Sequence, residues 1–428
     1  MRRTLVVASA ILATLLTMPL SMAAVSQVSA AAPTDSGRAS QALSYLLAAQ
    51  KTDGSIDGSI SETADFVIGT AAAGYDPSTL TGCSGTTSAL SYLAGASDAA
   101  ATNAGKTGKT ILAVVAAGGN PASFAGRDLS ARLAALYHSA TGAYGDGSTF
   151  GQSLAILAVV ASGGSVPAEA SAELAALQGT DGGWTYSAAK EAGDGDSNDT
   201  AIALMALHAA GVHSADSTGL AYLHTQQNTD GGFLFSSAYG PPADPDSDSI
   251  VIEALVAEGQ NPEAAGWSQG SNNAMTHLRA SQGSDGGFAY PGSPENAFTT
   301  TQVPAALVRV PYGAAVHFAP GASVPTTNCP AAPVPSASAA ASTSASASPS
   351  ATASTSAGAS PSATASLTRT PPPTSTGSDP SQPGNSAPPL AALICVSFGA
   401  LGLAAVTARR GIGKLSPGNH ECDANGRR

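Results

Sequence analysis

Gln178-Gly179-Thr180-Asp181-Gly182-Gly183-Trp184 recurs as Gln227-Asn228-Thr229-Asp230-Gly231-Gly232-Phe233 and again as Gln282-Gly283-Ser284-Asp285-Gly286-Gly287-Phe288. A partial copy stands at Gln50-Lys51-Thr52-Asp53-Gly54, and a worn one at Thr141-Gly142-Ala143-Tyr144. Asp-Gly-Gly makes a tight turn that needs positive φ. The aromatic folds back on the segment just left, and the glutamine reaches the backbone of a neighbouring turn. A unit repeated at this spacing points to stacked supersecondary elements rather than to one irregular core.

Between the motifs lie short apolar runs, each ending in glycine: Phe66 to Gly74, Ile111 to Gly118, Leu154 to Gly163, Ala201 to Gly211 and Ile250 to Gly259. Those glycines are 44, 45, 48 and 48 residues apart, and a sixth run covers Val303 to Val310. The runs are apolar on nearly every face, which predicts helices buried on all sides and stopped by a left-handed glycine. A second set alternates with them: Ala39–Gln50, Thr86–Leu93, Leu129–His138, Ala168–Gln178, Thr218–Gln227 and Asn272–Gln282. Here apolar residues keep helical spacing, as in Leu43, Leu46 and Leu47, and one face is polar. The expectation is an all-α fold over residues 31–330, with six inner and six outer helices closed into an α6/α6 toroid.

The flanks read differently. Met1 to Ala30 has Arg2 and Arg3, an apolar run and small residues at its end, the pattern of a secretory signal peptide. Residues 331–388 are mostly Ser, Ala, Thr and Pro, with only Arg369 and Asp379 charged. Such a stretch buries too little to offset its ordering entropy and reads as a disordered stalk. Residues 389–408 carry no charge and suit one transmembrane helix, which makes the membrane a partner. Arg409, Arg410 and Lys414 then place the tail, residues 409–428, in the cytoplasm. The expected localisation is the cell surface, with the helical domain exported.

Residues 31–330 hold 26 acidic and 9 basic side chains, a net charge of −17, which argues against nucleic acid as a partner. Cys83 and Cys329 are the only cysteines in the expected extracellular part. In an oxidising setting they are expected to pair, closing a long loop worth about 2–4 kcal/mol.

Gln-x-x-Asp-Gly-Gly-[Trp/Phe] at the end of an outer helix resembles the repeat signature of the prenyltransferase and squalene-cyclase toroids. The resemblance covers roughly residues 37–313 and implies the fold, which hosts unrelated activities. Class II terpene cyclases share Asp-x-Asp-Asp-Thr-Ala, whose middle aspartate protonates an alkene. The matching stretch here is Asp196-Ser197-Asn198-Asp199-Thr200-Ala201, and an amide at Asn198 has no proton to give. The protein prenyltransferases resemble one another in a zinc set of Asp, Cys and His, and the ring offers no cysteine beyond Cys83. The thioester relatives need Cys-Gly-Glu-Gln, which Cys83-Ser84-Gly85-Thr86 lacks. Secreted cobalamin carriers remain as the nearest in style. They imply a non-enzymatic surface protein that binds a small molecule or a polymer in the mouth of the ring, with cobalamin as a ligand rather than a catalytic cofactor. A glycan ligand, or a separate surface or transporter chain completing the site, fits the same reading. A cyclase-like or other surface enzyme and a structural or adhesive head are the alternatives. Converging acids with perturbed pKa values would favour the enzyme.

Candidate ligand-binding residues follow from position. Asp65, Gln152, Asp199, Asp248 and Thr301 fall near the starts of the inner helices, as a polar mouth or as N-caps. Trp184, Phe233 and Phe288 read as staples between helices, leaving Tyr186, Phe235 and Tyr290 as aromatics for a ligand. The clusters Asp194/Asp196/Asp199 and Asp244/Asp246/Asp248 lack EF-hand spacing and read as solvated acidic turns. His208 and His213 have no zinc-type partner set within reach along the sequence, so no metal is expected.

Overall fold

A computed structural model describes residues 32–330, apart from Ser84, Thr86 and residues 187–192. The expected signal peptide, stalk, membrane helix and tail lie outside the described residues. Among the described residues, no helix is long and apolar enough to cross a membrane.

The described chain is all-α. In order it forms α1 (Asp35–Ala49), α2 (Ile60–Ala72), α3 (Ala89–Ala100), α4 (Ala104–Ala116), α5 (Leu129–Ala135), α6 (Thr149–Ala161), α7 (Ala168–Ala176), α8 (Ser197–Ala209), α9 (Asp216–Gln226), α10 (Pro245–Ala257), α11 (Ala274–Ala280) and α12 (Ala297–Val308). Two short antiparallel hairpins interrupt it. Tyr137–His138 (β1) pairs with Ala143–Tyr144 (β2), and Ser268–Gln269 (β3) with Asn272–Asn273 (β4). His138 and Asn272, expected in helices, belong to these hairpins instead.

The even-numbered helices are the apolar runs. They begin four to seven residues before those runs, because their first turns are polar yet buried, a combination that hydrophobicity cannot flag. Side-chain N-caps from Ser59, Asn103, Asp196, Asp244 and Asn296 satisfy their first amides. They end as expected: Gly74, Gly118, Gly163, Gly211 and Gly259 have φ between 68° and 86°.

Contacts among these helices run α2–α4–α6–α8–α10–α12 and return from α12 to α2. Equivalent positions of neighbouring helices meet: Asp65 and Lys109, both sixth in α2 and α4, form an ion pair, and His208 in the last turn of α8 faces Glu258 at the end of α10. The approach is close. A Cβ on Gly108 would come within 2.7 Å of the Leu154 carbonyl, so glycine is required there. The odd-numbered helices pack against this circuit, α1 on α12, α3 on α2 and α4, α5 on α4, α7 on α6 and α8, α9 on α8 and α11 on α10.

Start and end of the fold are joined several times. Gln282 donates from Nε2 to the Arg38 carbonyl at 2.9 Å, and Arg279 pairs with Asp35 at 2.6 Å. Beyond α12, Ala319 N–H bonds the Gly74 carbonyl and Ser44 bonds Thr327. Cys83 and Cys329 form the expected disulfide, their Cα atoms 5.3 Å apart.

Candidate functional site

The repeat motif is a set of hydrogen-bonded clips. Gln178, Gln227 and Gln282 each donate from Nε2 to a glycine carbonyl of their own turn, Gly182, Gly231 or Gly286, at 2.9–3.1 Å. The same amides reach the next odd-numbered helix or its lead-in, at Thr218, Trp267 and Arg38. Asp181, Asp230 and Asp285 accept from the amides of Gly183, Gly232 and Gly287. The turn needs glycine at Gly182, where φ is 90° and a Cβ would meet the Thr218 carbonyl at 2.5 Å. Trp184, Phe233 and Phe288 are fully buried staples.

The amide of each staple is in turn held by the fourth residue of the following even-numbered helix. Trp184 N–H donates to Thr200, Phe233 N–H to Asp248 and Phe288 N–H to Thr300, at 2.7–2.9 Å. Ile56 with Thr63 and Tyr144 with Gln152 repeat the arrangement. Two of the expected ligand-binding residues stand in this arrangement. Gln152 is saturated, accepting from Tyr144 and donating to the carbonyls of Gly142 and Ala170. Asp248 accepts from Phe233 and from His277 Nδ1 at 2.5 Å. Burial works against a charge on His277, but the bond and charge of Asp248 outweigh it and raise its pKa. Thr301 turns back on its own helix, donating to the Phe298 carbonyl.

Asp65 is likewise occupied. Its carboxylate lies 2.8 Å from Lys109 Nζ and accepts from the Tyr312 hydroxyl, with Asp65 and Lys109 only 4 % and 3 % exposed. Lys109 also lies 5.8 Å from the ring centroids of Phe150 and Tyr312. Glu253 faces the same group, and burial, with the Asp65 charge added, holds its pKa well above the ordinary carboxylate range.

What remains is a group of acids at the starts of α8 and α10. The two clusters expected to be solvated turns are buried, apart from Asp194, because they form the first turns of parallel packed helices. Asp196 caps α8, accepting from the Asp199 amide at 2.7 Å, and Asp244 caps α10 through Ser247. Burial pushes Asp196 up to about 6 and Asp244 up to about 7, the latter helped by the Asp248 charge. Asp199 and Asp246 are raised well above the carboxylate range, first by burial and then by Asp196 and Asp244 respectively. Oδ1 of Asn198, of Asp199 and of Asp246 is buried without a hydrogen-bond partner.

Asn198 and Asp246 occupy the same place, second in α8 and second in α10. The predicted aromatics border this group. Tyr290 is half-buried, and burial followed by the charges of Asp244 and Asp246 raises its pKa. Tyr186 is 48 % exposed and is raised by burial, Asp146 and Asp199. Phe235 lies against Tyr239, and its carbonyl accepts from the Ser197 amide at the head of α8. Thus Asp199, Tyr186, Phe235 and Tyr290 lie about one acidic group at the heads of α8 and α10, while Asp65, Gln152, Asp248 and Thr301 bond within the frame.

Sequence reasoning passed over Asp246. Its signal was the alignment of α10 with α8, in which Asp244-Pro245-Asp246 falls on Asp196-Ser197-Asn198. It also passed over a second grouping, in which Asp216 and Glu258 come to His208 and His213 at the other ends of α8 and α10. A separate apolar cavity of about 330 Å³ lies between α4, α5 and α6, lined by Leu133, Tyr137, Tyr144 and Val159 among others.

No protein-family model matches the chain, and no curated protein matches it. Among solved structures it is similar to the type II terpene cyclase MstE from Scytonema. A variant of that enzyme in complex with merosterolic acid A is 16 % identical, at a TM-score of 0.45, over 64 % of this chain and 96 % of that one. A second variant, in complex with geranylgeranyl dihydroxybenzoate, is 14 % identical at 0.44, over 64 % and 97 %. The apo enzyme is 14 % identical at 0.42, over 64 % and 98 %.

Proposed function

We propose that the circuit of even-numbered helices and its odd-numbered jacket form an α6/α6 toroid, and that the toroid is an enzyme. The reaction begins by proton transfer from a buried carboxylic acid to an uncharged, largely apolar substrate of the isoprenoid alkene class. The observation that carries this reading is the acid group at the heads of α8 and α10. Within it, burial and the neighbouring Asp244 hold Asp246 well above the ordinary carboxylate range, and Asp246 presents an unpartnered oxygen. A carboxylic acid with a raised pKa is loaded with its proton at neutral pH, as a general acid must be.

Asp246 is the donor in this reading. It stands in α10 where Asn198 stands in α8, so the missing acid of the cyclase-like motif is supplied one repeat later. The alkene π pair takes the proton, forming a C–H bond and leaving a carbocation. The new carboxylate faces that cation in a site shielded from water, where their attraction is strong. A second alkene captures the cation, and a proton lost at the end restores the acid. Tyr290 and Tyr186 suit the cation through their ring faces.

The test is full-length protein, in detergent, incubated with squalene or geranylgeraniol in deuterated water. Cyclised product carrying one deuteron is expected. Asp246→Asn should lower the rate by at least about 100-fold, the usual contribution of a general acid, without lowering thermal stability. Unchanged turnover in that variant would remove Asp246 from the role, and absence of any product with these alkenes would remove the substrate class.

A further inference from the structure

At the ends of α8 and α10 opposite the acidic group, four ligand-type side chains converge from separate elements. His208 lies in the last turn of α8, His213 in the loop after it, Asp216 begins α9 and Glu258 caps the C-terminus of α10. One donor atom each from His208, His213 and Asp216 lies within 4.8 Å of the others. His213 Nδ1 is 2.9 Å from Asp216 Oδ2, and His208 Nδ1 is 3.5 Å from Glu258 Oε1. Four ligands at zinc-type bond lengths around one ion stand about 3.3 Å apart, so these separations need only small adjustment.

The second observation is independent of the grouping. His208 Nδ1, Asp216 Oδ1 and Glu258 Oε1 are all shielded from solvent and have no hydrogen-bond partner. The Glu258 side chain is 5 % exposed, so its oxygen is held toward the histidine rather than toward water. Buried polar atoms are normally paired; here a histidine nitrogen is left over beside two carboxyls, Asp216 and Glu258, whose buried oxygens have only each other to bond. The two imidazoles are packed edge to face with centroids 5.1 Å apart, His213 Nδ1 on Asp216 and His208 Nδ1 towards Glu258.

We propose that His208, His213, Asp216 and Glu258 form a divalent transition-metal site of the zinc class. Two imidazoles select against calcium and magnesium, which take oxygen ligands, and two carboxylates balance the charge of the ion. The site shares no residue with the acidic group. By fastening the end of α8 to α9 and α10, the ion would act as a clasp on that part of the helical circuit.

The full-length protein in detergent, stripped with a chelator, is titrated calorimetrically with zinc sulfate and with calcium chloride. One zinc per chain is expected, with a rise in melting temperature on binding. His213→Ala and Glu258→Gln should each weaken zinc by more than about 100-fold, beyond what losing an outer contact of a metal site costs. Cobalt(II) in place of zinc should give the visible bands of a four-coordinate site, lost in His213→Ala. His213 is largely exposed, so that variant keeps the helical packing and its apo melting temperature reports whether it folds. No zinc uptake, uptake undiminished in both variants, or calcium bound in preference to zinc would each overturn the assignment.

Discussion

Thr300 and Thr301 are neighbours, both buried, both near the start of α12, yet only one holds the repeat together. Thr300 Oγ1 accepts the Phe288 amide at 2.9 Å, fixing the staple that ends the third motif. Thr301 Oγ1 only donates to a carbonyl of its own helix, at 2.8 Å from Phe298. Valine matches threonine in shape and β-branching, so Thr300→Val removes the acceptor with little change in packing. It leaves a buried amide without a partner, which costs about 1–3 kcal/mol. At about 2 °C per kcal/mol for a domain of this size, the melting temperature should fall by about 2–6 °C. Thr301→Val loses a bond that a helical carbonyl can spare and should stay within about 0.5 kcal/mol of the parent. The assay is calorimetric melting of the two variants with the disulfide intact, paired with Thr200→Val, which should match Thr300→Val through Trp184. Equal losses at Thr300 and Thr301 would refute the argument that the fourth helical residue is the structural anchor of the repeat.

Removing Lys109 should be more severe: Lys109→Met leaves the buried Asp65 without its counter-charge and should cost about 3–5 kcal/mol by denaturant titration, whereas adding Asp65→Asn should recover most of it. Stability should also depend on pH. Asp196 and Asp244 are raised to about 6 and about 7, so the folded chain holds protons that the unfolded chain releases above about pH 4. Their contribution is present at the acidic side of that window and is lost as pH rises through 6 to 7. Asp35 and Glu263 are shifted the other way, by the Arg279 hydrogen bond in Asp35 and, against burial, by Arg279 and Arg309 in Glu263, so further acidification costs stability. Melting temperature should therefore peak in mildly acidic buffer and decline towards pH 8.

Much of the frame was legible in the sequence because it rests on local rules. Glycine at the end of each of five apolar runs and the first glycine of each Asp-Gly-Gly turn mark positions where positive φ is easily adopted, and the structure has positive φ there. The polar first turns were misread. Asp196, Asp199, Asp244, Asp246 and Asp248 look like a solvated surface, and only the parallel packing of α8 and α10 buries them. Gln152 and Thr301 bond backbone groups, and Asp248 bonds the Phe233 amide and His277, partners that no spacing reveals. Tyr312 and Glu253 reach the Asp65–Lys109 pair from distant parts of the chain, and Glu258 reaches His208 across 50 positions. Contacts of that span are set by the closure of the fold and leave no periodic trace.

The Cys83–Cys329 bond has a mechanical meaning. Cys329 lies beyond the last helix, so a pull on the polypeptide after it meets a covalent strut almost at once. Load passes through that strut to the loop ahead of α3 and bypasses the chain between the two cysteines, which stand 246 positions apart. The segment after α12, which would otherwise peel away from Gly74 and Ser44 bond by bond, carries little of it. A domain fastened in this way resists being unravelled from its trailing end, and reducing one bond would turn a rigid handle into a rip-cord.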